Sequence, residues 1–374
     1  MVSNKQNIVF LCGSLEPGRD GVGDYTRRLA GEIIRQGHRA TIISLNDGFC
    51  NFSKLDIQKD DKIDIQVYRL SSLLSQAERF LLADEWISKL NPHWLSLQFV
   101  PFSFHPKGLP FSLSKQLKKL GHGRKCHVMF HELWLGINRE CITKNKIIGY
   151  FQKFIFKEIH RNLKPDCIHT HTKYYQFLLT NLVEEPNLLP LFSNIPVTKP
   201  VKQSTPNNQL KFVVFGGIAP ASKFEAFTKE LSEYAKKMGK EVVLTIVGRS
   251  GSNQKKWVNI WESYNLKYQV LGEQNPAQIS KILTNADIAL STTPIALLEK
   301  SGTASAMLLH KTPIISVSHN WTPNAAFKHE PLSGTVQFVE GQLENSLLNL
   351  QMTQTDIQTL NQVASKLLDD LKCN

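Results

Sequence analysis

The chain has 374 residues, long enough for two domains of ordinary size, each with its own core. Apolar residues make up 41% and charged residues 20%, as in a soluble globular protein, and the first apolar run, Ile8–Cys12, is far too short for a signal-peptide core or a membrane span. The formal net charge of +12 is uneven: residues 1–200 carry 27 Lys and Arg against 18 Asp and Glu, and residues 201–374 carry 17 against 14, a balance that favours anionic surfaces such as phospholipid, nucleic acid or a phosphorylated acceptor.

In chain order, Ile8–Cys12 reads as a strand buried on both faces of a parallel sheet. Gly13 to Gly23, with four glycines and a proline, reads as a loop. From Tyr25 the positions Leu29, Ile33 and Ile34 recur at helical spacing until Gly37, and Ala40–Leu45 is the next strand. Strand, helix, strand in this order implies a right-handed crossover and a doubly wound sheet. Trp94–Phe99, His127–Phe130 and Cys167–Thr170 continue it, separated by helical stretches such as Leu73–Leu90 and Lys146–Arg161. From Ile195 to Asn208 the sequence turns polar and carries three prolines, a linker composition. A second α/β unit follows, with strands Phe212–Phe215, Val242–Val247, Ile288–Leu290 and Pro313–Val317 and helices Phe224–Met238, Pro276–Thr284 and Ala304–Leu309. Leu343–Leu371 is mostly helical. The organisation expected is two doubly wound Rossmann-like domains, 1–197 and 198–345, with a helical segment 346–374 that packs back on the first.

Chemistry concentrates at strand ends. Ser301-Gly302-Thr303 opens a helix just past a strand, so unpaired backbone N–H groups, the positive end of the helix dipole and two hydroxyls meet there, and Gly302 lets a diphosphate approach. An N-capped helix with no ligand gives the same local pattern. Glu299 is placed to accept hydrogen bonds from sugar hydroxyls. Gly216-Gly217 follows the first strand of the same domain, and Lys223, near the next helix start, opposes the dipole unless an anion lies between them. Gly248-Arg249 closes another strand. One phosphate-bearing ligand accounts for all three. In the first half, Gly18 to Tyr25 includes Asp20, Gly21, Gly23 and Asp24 but is no G-x-G-x-x-G fingerprint, and no acidic residue is placed for a ribose, which argues against a dehydrogenase. His131-Glu132 follows the strand His127–Phe130. Neither His131 nor the pair His169/His171 has a third ligand at metal-like spacing, and the six cysteines form no CxxC pair, so no metal site and no disulfide framework is expected. Basic residues lack an aromatic-interleaved module or a helix-turn-helix, which argues against nucleic acid as partner.

These residues resemble the retaining glycosyltransferases of family 4, also called group 1, over nearly the whole chain. Gly21–Ala30 with Gly37-His38 is similar to the family's opening loop, near which the acceptor binds; Phe130–Trp134 to its His-Asp segment, whose histidine contacts the donor sugar; Ser193–Pro196 to the turn before the second domain; and Ile288–Thr293, Glu299-x-x-Gly302 and Thr312-Pro313 to its donor site. The resemblance implies a GT-B fold, two Rossmann-like domains facing a central cleft. It implies transfer of a sugar from a nucleotide-diphosphate donor to a hydroxyl of a glycan, glycolipid or other acceptor, with no metal and no cofactor beyond the donor. Its site is then His131, Glu299, Asp24 and Glu132 as catalytic groups, with Gly216, Gly217, Lys223, Gly248, Arg249, Ser301, Gly302 and Thr303 on the donor and Asp20, Gly21, Gly23 and Tyr25 on the acceptor side. Two departures stand out: the family's second glutamate is Met307 here, and the arginine expected after Gly216-Gly217 is replaced by Ile218-Ala219. The Lys300–Ser305 run is also similar to GT-B enzymes that invert, such as lipid A disaccharide synthases. Retention needs no protein base; inversion would use Asp20, Asp24 or Glu132. A catalytically silent GT-B binding protein is the alternative. Within Lys144–Lys164, Ile147, Ile148, Phe151, Phe154, Ile155 and Ile159 alternate with Lys146, Lys153, Lys157 and Arg161, which suits either an anionic membrane surface or a core-packed helix with a basic face. The expected location is cytoplasmic, peripheral at the inner face of the membrane.

Overall fold

The computed structural model describes residues 5–183, 185–198, 208–220, 222–328, 330–350 and 357–373. The chain divides into two compact units: Met1–Pro190 with Pro323–Phe327 and Leu360–Asn374, and Leu191–Thr322 with Lys328–Thr359.

The first unit is built on eight strands: β1 (Asn7–Cys12), β2 (Arg39–Asp47), β3 (Lys54–Asp60), β4 (Ile63–Ser71), β5 (Trp94–Phe99), β6 (Lys125–Phe130), β7 (Cys167–Thr170) and β8 (Asn187–Leu188). Their order is β3-β4-β2-β1-β5-β6-β7-β8, parallel except for the antiparallel β3–β4 hairpin. Runs such as Ile8–Cys12 and Trp94–Phe99 are buried along their length because helices cover both faces. The order turns back on itself between β1 and β5, and ligands bind open α/β sheets at the carboxyl ends flanking such a point. The helix Leu360–Cys373 lies on Gly21–Arg35, with the Asn361 amide donating to Glu32 Oε1 at 2.8 Å and Ser365 Oγ to Gln36 Oε1 at 3.3 Å.

The second unit holds β9 (Gln209–Phe215), β10 (Glu241–Val247), β11 (Lys267–Gly272), β12 (Ile288–Ser291), β13 (Ile314–Ser316) and β14 (Thr335–Gln337), in the order β11-β10-β9-β12-β13-β14. One face packs Phe212, Leu244 and Ile315 against Phe224, Phe227 and Trp261; the other packs Val213 and Ala289 against Leu283, Ala304 and Met307. The turning point here lies between β9 and β12.

Several boundaries differ from those read in the sequence. The first helix begins at Gly21 rather than Tyr25, because the Asp20 side chain accepts from Gly23 N at 2.8 Å and caps it there. Ile195–Thr198, expected to open a linker, instead belongs to the second unit: Ile195 is buried among Val213 and Leu308, and Thr198 N donates to Ser280 Oγ at 3.0 Å. The linker residues 199–207 lie outside the described residues. The closing stretch is two helices, Leu343–Leu348 and Leu360–Cys373, with 351–356 outside the described residues. No helix among the described residues is long and apolar enough to cross a membrane.

Candidate functional site

In the second unit, β9, β10 and β12 end in three loops that meet. Gly216 follows β9 at φ +85° and Gly248 follows β10 at φ +92°. Gly216 N donates to Val247 O at 2.9 Å, and a Cβ on Gly248 would lie 3.2 Å from Gly216 N. A Cβ on Gly216 would lie 2.7 Å from Thr303 Cγ2, so the loop after β9 touches the start of the helix Gly302–Leu309. Both glycines are therefore required twice over, by a left-handed backbone and by close approach. The loop after β12 joins them, since Ala219 N donates to Thr292 Oγ1 at 3.0 Å. These contacts lie at the carboxyl ends flanking the turning point between β9 and β12.

The other residues expected on this side are arranged around that junction. Ser301 caps its helix, accepting from Ala304 N at 3.3 Å with its hydroxyl 3.1 Å from Thr303 Oγ1. The cap covers one of the first-turn N–H groups; those of Gly302 and Thr303 precede the helix's own ladder. Lys223 occupies the N-cap position of Phe224–Met238, and its N–H donates to Val317 O at 2.7 Å, which ties that helix start to the end of β13. Glu299 is the penultimate residue of the short 3-10 helix Ile295–Lys300, two residues before Ser301, and is half-buried. Gly217 is exposed, with open space where a Cβ would be. Arg249 points outward and pairs with Glu273 at 2.8 Å. Met307, where the resembling family has its second glutamate, is fully buried against Val213, Ala289 and Ile314, so the side chain at this position belongs to the core. Thr292 lies within the Ile288–Thr293 stretch likened to a donor site but was given no role of its own; its signal is the Ser291-Thr-Thr293 run after an apolar strand.

In the first unit, Gly23 is buried, and a Cβ there would lie 2.5 Å from Ser14 O, so the helix start packs on the loop after β1. Gly21 is exposed with open space around it. Burial pushes the Asp20 carboxyl up, against the hydrogen bonds from Gly23 and Val22 that favour its charged form. Asp24 is half-buried: it accepts from Gly18 N at 3.0 Å and pairs with Arg27. Its carboxylate is thus occupied in closing the loop. Tyr25 is buried and meets His131 and His171 edge-on, at centroid distances of 4.9 and 5.3 Å. Burial pushes its phenol up. His131 has protein partners on both ring nitrogens, Gln98 Oε1 and His171 Nε2, each at 2.9 Å, and burial holds it neutral. Glu132, the next residue, is exposed. Asp20, Gly23, Tyr25 and His131 therefore gather near the carboxyl ends of β1 and β6, with the His131 ring locked in place by the protein itself.

No family model matches the chain, and no curated protein matches it. Solved structures do. The Anabaena protein HepE, determined with UDP and glucose, superposes with a TM-score of 0.61 at 11% identity, covering 99% of this chain and 100% of that one. A glycosyltransferase from Rickettsia africae gives 0.58 at 16% identity, covering 99% and 94%. The UDP-GlcNAc 2-epimerase of Methanocaldococcus jannaschii gives 0.55 at 10% identity, covering 98% and 100%. At these identities the likeness is one of fold, and the fold it gives this chain, over nearly its whole length, is the GT-B fold of nucleotide-sugar glycosyltransferases.

Proposed function

We propose that the protein is a glycosyltransferase that moves a sugar from a nucleotide-diphosphate donor to an acceptor hydroxyl. The observation that carries this reading is the meeting of Gly216, Gly248 and Thr303 at the turning point of the second sheet. A site made of backbone and a helix start, with a lysine at its edge, suits a diphosphate. HepE, which shares the fold, was determined with UDP-glucose.

In this account the Gly302–Thr303 helix start and Lys223 hold the diphosphate and stabilise the charge that grows as it leaves. Glu299 orients the sugar ring. No base is assigned, and the reaction retains configuration without a metal at the reacting centre. Asp24, already engaged by Gly18 and Arg27, is less suited than Asp20 to accept a proton. Replacing Lys223 or Glu299 by Ala lowers turnover by at least about tenfold, roughly 1.4 kcal/mol of barrier. Donor turnover followed across a panel of acceptor sugars measures this, and unchanged rates in both variants would reject the assignment.

The buried Met307 favours a second reading, a protein that binds the nucleotide sugar without transferring it. Tight nucleotide binding with neither transfer nor donor hydrolysis would select it. Epimerisation, seen on the same fold, would appear in the same assay as a new sugar nucleotide formed without acceptor.

A lipid-linked acceptor, as in glycolipid or surface-polysaccharide synthesis, fits the helix Thr143–Leu163. Its packed face is Gly149, Gln152, Ile155, Phe156 and Ile159, with Gly149 lying against Leu135 O. The opposite face leaves Ile147, Tyr150, Phe151 and Phe154 exposed among Lys146, Lys153 and Lys157. Apolar rings set among cations match an anionic phospholipid surface. The protein is expected to float with phosphatidylglycerol vesicles and to lose that binding in Phe151→Asp. Absence of flotation by the wild type would refute the membrane location.

A further inference from the structure

Across β5, β6 and β7 runs an unbroken line of buried polar contacts. It starts at Leu189 O, 3.0 Å from His171 Nδ1, and passes from His171 Nε2 to His131 Nδ1 at 2.9 Å. His131 Nε2 meets the Gln98 carboxamide at 2.9 Å, and the carboxamide meets Ser96 Oγ at 2.8 Å. Ser96 Oγ lies 2.7 Å from His127 Nδ1, His127 Nε2 lies 3.0 Å from His169 Nδ1, and His169 Nε2 ends the line 2.9 Å from Asp370 Oδ2.

The line can be counted. Both ends, a carbonyl and a carboxylate, only accept. Seven contacts need seven hydrogens. Four neutral imidazoles, one hydroxyl and one carboxamide each direct one hydrogen along the line, which makes six. With every group in its ordinary state one contact is a hydrogen short, and it needs either a seventh hydrogen, on an imidazolium or on the Asp370 carboxyl, or a cation in its place. With the Gln98 oxygen toward His131 and its nitrogen toward Ser96, the shortfall lies between Leu189 and Gln98; with the carboxamide turned over, which moves none of its neighbours, it lies between Gln98 and Asp370, where the His127–His169 pair can be the one left short.

Among the described residues, only the His127–His169 pair has a further His, Cys or carboxylate ligand atom grouped with it. Cys167 Sγ lies 3.6 Å from His169 Nδ1, and the two nitrogens and the sulfur are all within 4.8 Å of one another and buried. The strands put them there: Cys167 and His169 alternate onto one face of β7, and the register sets His127 directly beside Cys167. In the sequence the histidines lacked a third ligand at metal-like spacing. On a strand, Cys-x-His supplies it.

We propose that His127 Nε2, His169 Nδ1 and Cys167 Sγ bind one thiophilic d10 cation, Zn(II) or Cu(I), in a structural site separate from the sugar-transfer chemistry. Two nitrogens and a sulfur grouped this closely are the donor set for bonds of about 2.0–2.1 Å to nitrogen and about 2.3 Å to sulfur. The cation replaces the missing hydrogen and leaves six contacts for six hydrogens. Both ligating rings are already held from behind, His127 by Ser96 and His169 by Asp370, the carboxylate–histidine arrangement that orients metal ligands. Burial keeps both imidazoles in the neutral, ligating form. Without an ion, burial also pushes the Cys167 thiol up to about 12; binding releases that proton to solvent, and the thiolate and Asp370 together offset a divalent charge. Lys366, 2.7 Å from Asp370, closes the outer side.

The test is elemental analysis of the full-length protein after incubation with Zn(II) and, separately, with Cu(I) under reducing conditions, followed by X-ray absorption at the retained metal. The expected result is one ion per chain in one of the two arms, with a first shell of two imidazole nitrogens and one sulfur, and loss of the ion in Cys167→Ser but not in Cys141→Ser. No stoichiometric metal in either arm, a shell without sulfur, or full retention by Cys167→Ser would overturn the proposal. If Cys167→Ser fails to fold, the absorption shell of the wild type decides.

Discussion

Replacing Gly216 with Val is expected to lower sugar transfer by at least about 100-fold while leaving both units folded. The backbone there sits at φ +85°, where a β-branched residue costs on the order of 1–3 kcal/mol. The new Cβ would also lie 2.7 Å from Thr303 Cγ2. The strain has two outlets: the β9 loop retreats from Gly248, or Thr303 and the helix start shift. Either one moves the groups assigned to the diphosphate, and a misplacement of about 1 Å is enough for a loss of about 10²-fold. Activity should fall far more than the melting temperature. Wild-type turnover in a folded Gly216→Val protein would mean that the junction of the three loops does not serve the reaction.

The second large effect concerns stability. Asp47 is fully buried and receives Arg69 in a two-pronged pair, Nε to Oδ2 at 2.8 Å and Nη2 to Oδ1 at 3.1 Å. Ser44 Oγ, Leu15 N and Phe49 N also donate to it, at 3.1, 3.2 and 3.0 Å, and Arg69 reaches Glu16 at 2.8 Å. This brace fixes the loop after β1 to the ends of β2 and β4, beside the Asp20–Tyr25 segment. Asp47→Ala strands the buried guanidinium and is expected to cost about 3–5 kcal/mol in the urea unfolding of the first unit. Burial alone would raise the Asp47 carboxyl, but the hydrogen bonds and charge of Arg69 outweigh it and hold the group below the usual carboxylate range. A depressed folded value stabilises fully above the unfolded value of about 3.9 and is lost as pH falls through the folded one. Stability should therefore decline more steeply below about pH 4 in the wild type than in Asp47→Asn. Parallel acid profiles in the two proteins would contradict this.

The inner strands were legible in the sequence: Trp94–Phe99 and Cys167–Thr170, both buried along their whole length, have the bounds expected. The β3–β4 hairpin was not. Its outer strand alternates charges with Leu55 and Ile57, which are 53% and 62% exposed, so no apolar face announces it. The strand Lys267–Gly272 was missed for a similar reason, being an edge strand with exposed Lys267, Gln269 and Val270. Of the candidate site, the glycines were readable because a strand followed at once by glycine marks a loop. Their mutual contact was not, since Gly216, Gly248 and Thr303 lie far apart in sequence. The Asp47–Arg69 brace and the histidine line depend on register between strands, which no local pattern encodes.

A nucleotide-sugar site on the second sheet can be probed by a thermal-shift screen against UDP, GDP, ADP, CMP and dTDP with their sugar conjugates. One nucleotide is expected to raise the melting temperature of the wild type, with the rise lost in Gly216→Val and in Lys223→Ala. No rise with any of them, or a rise that persists in both variants, would contradict it.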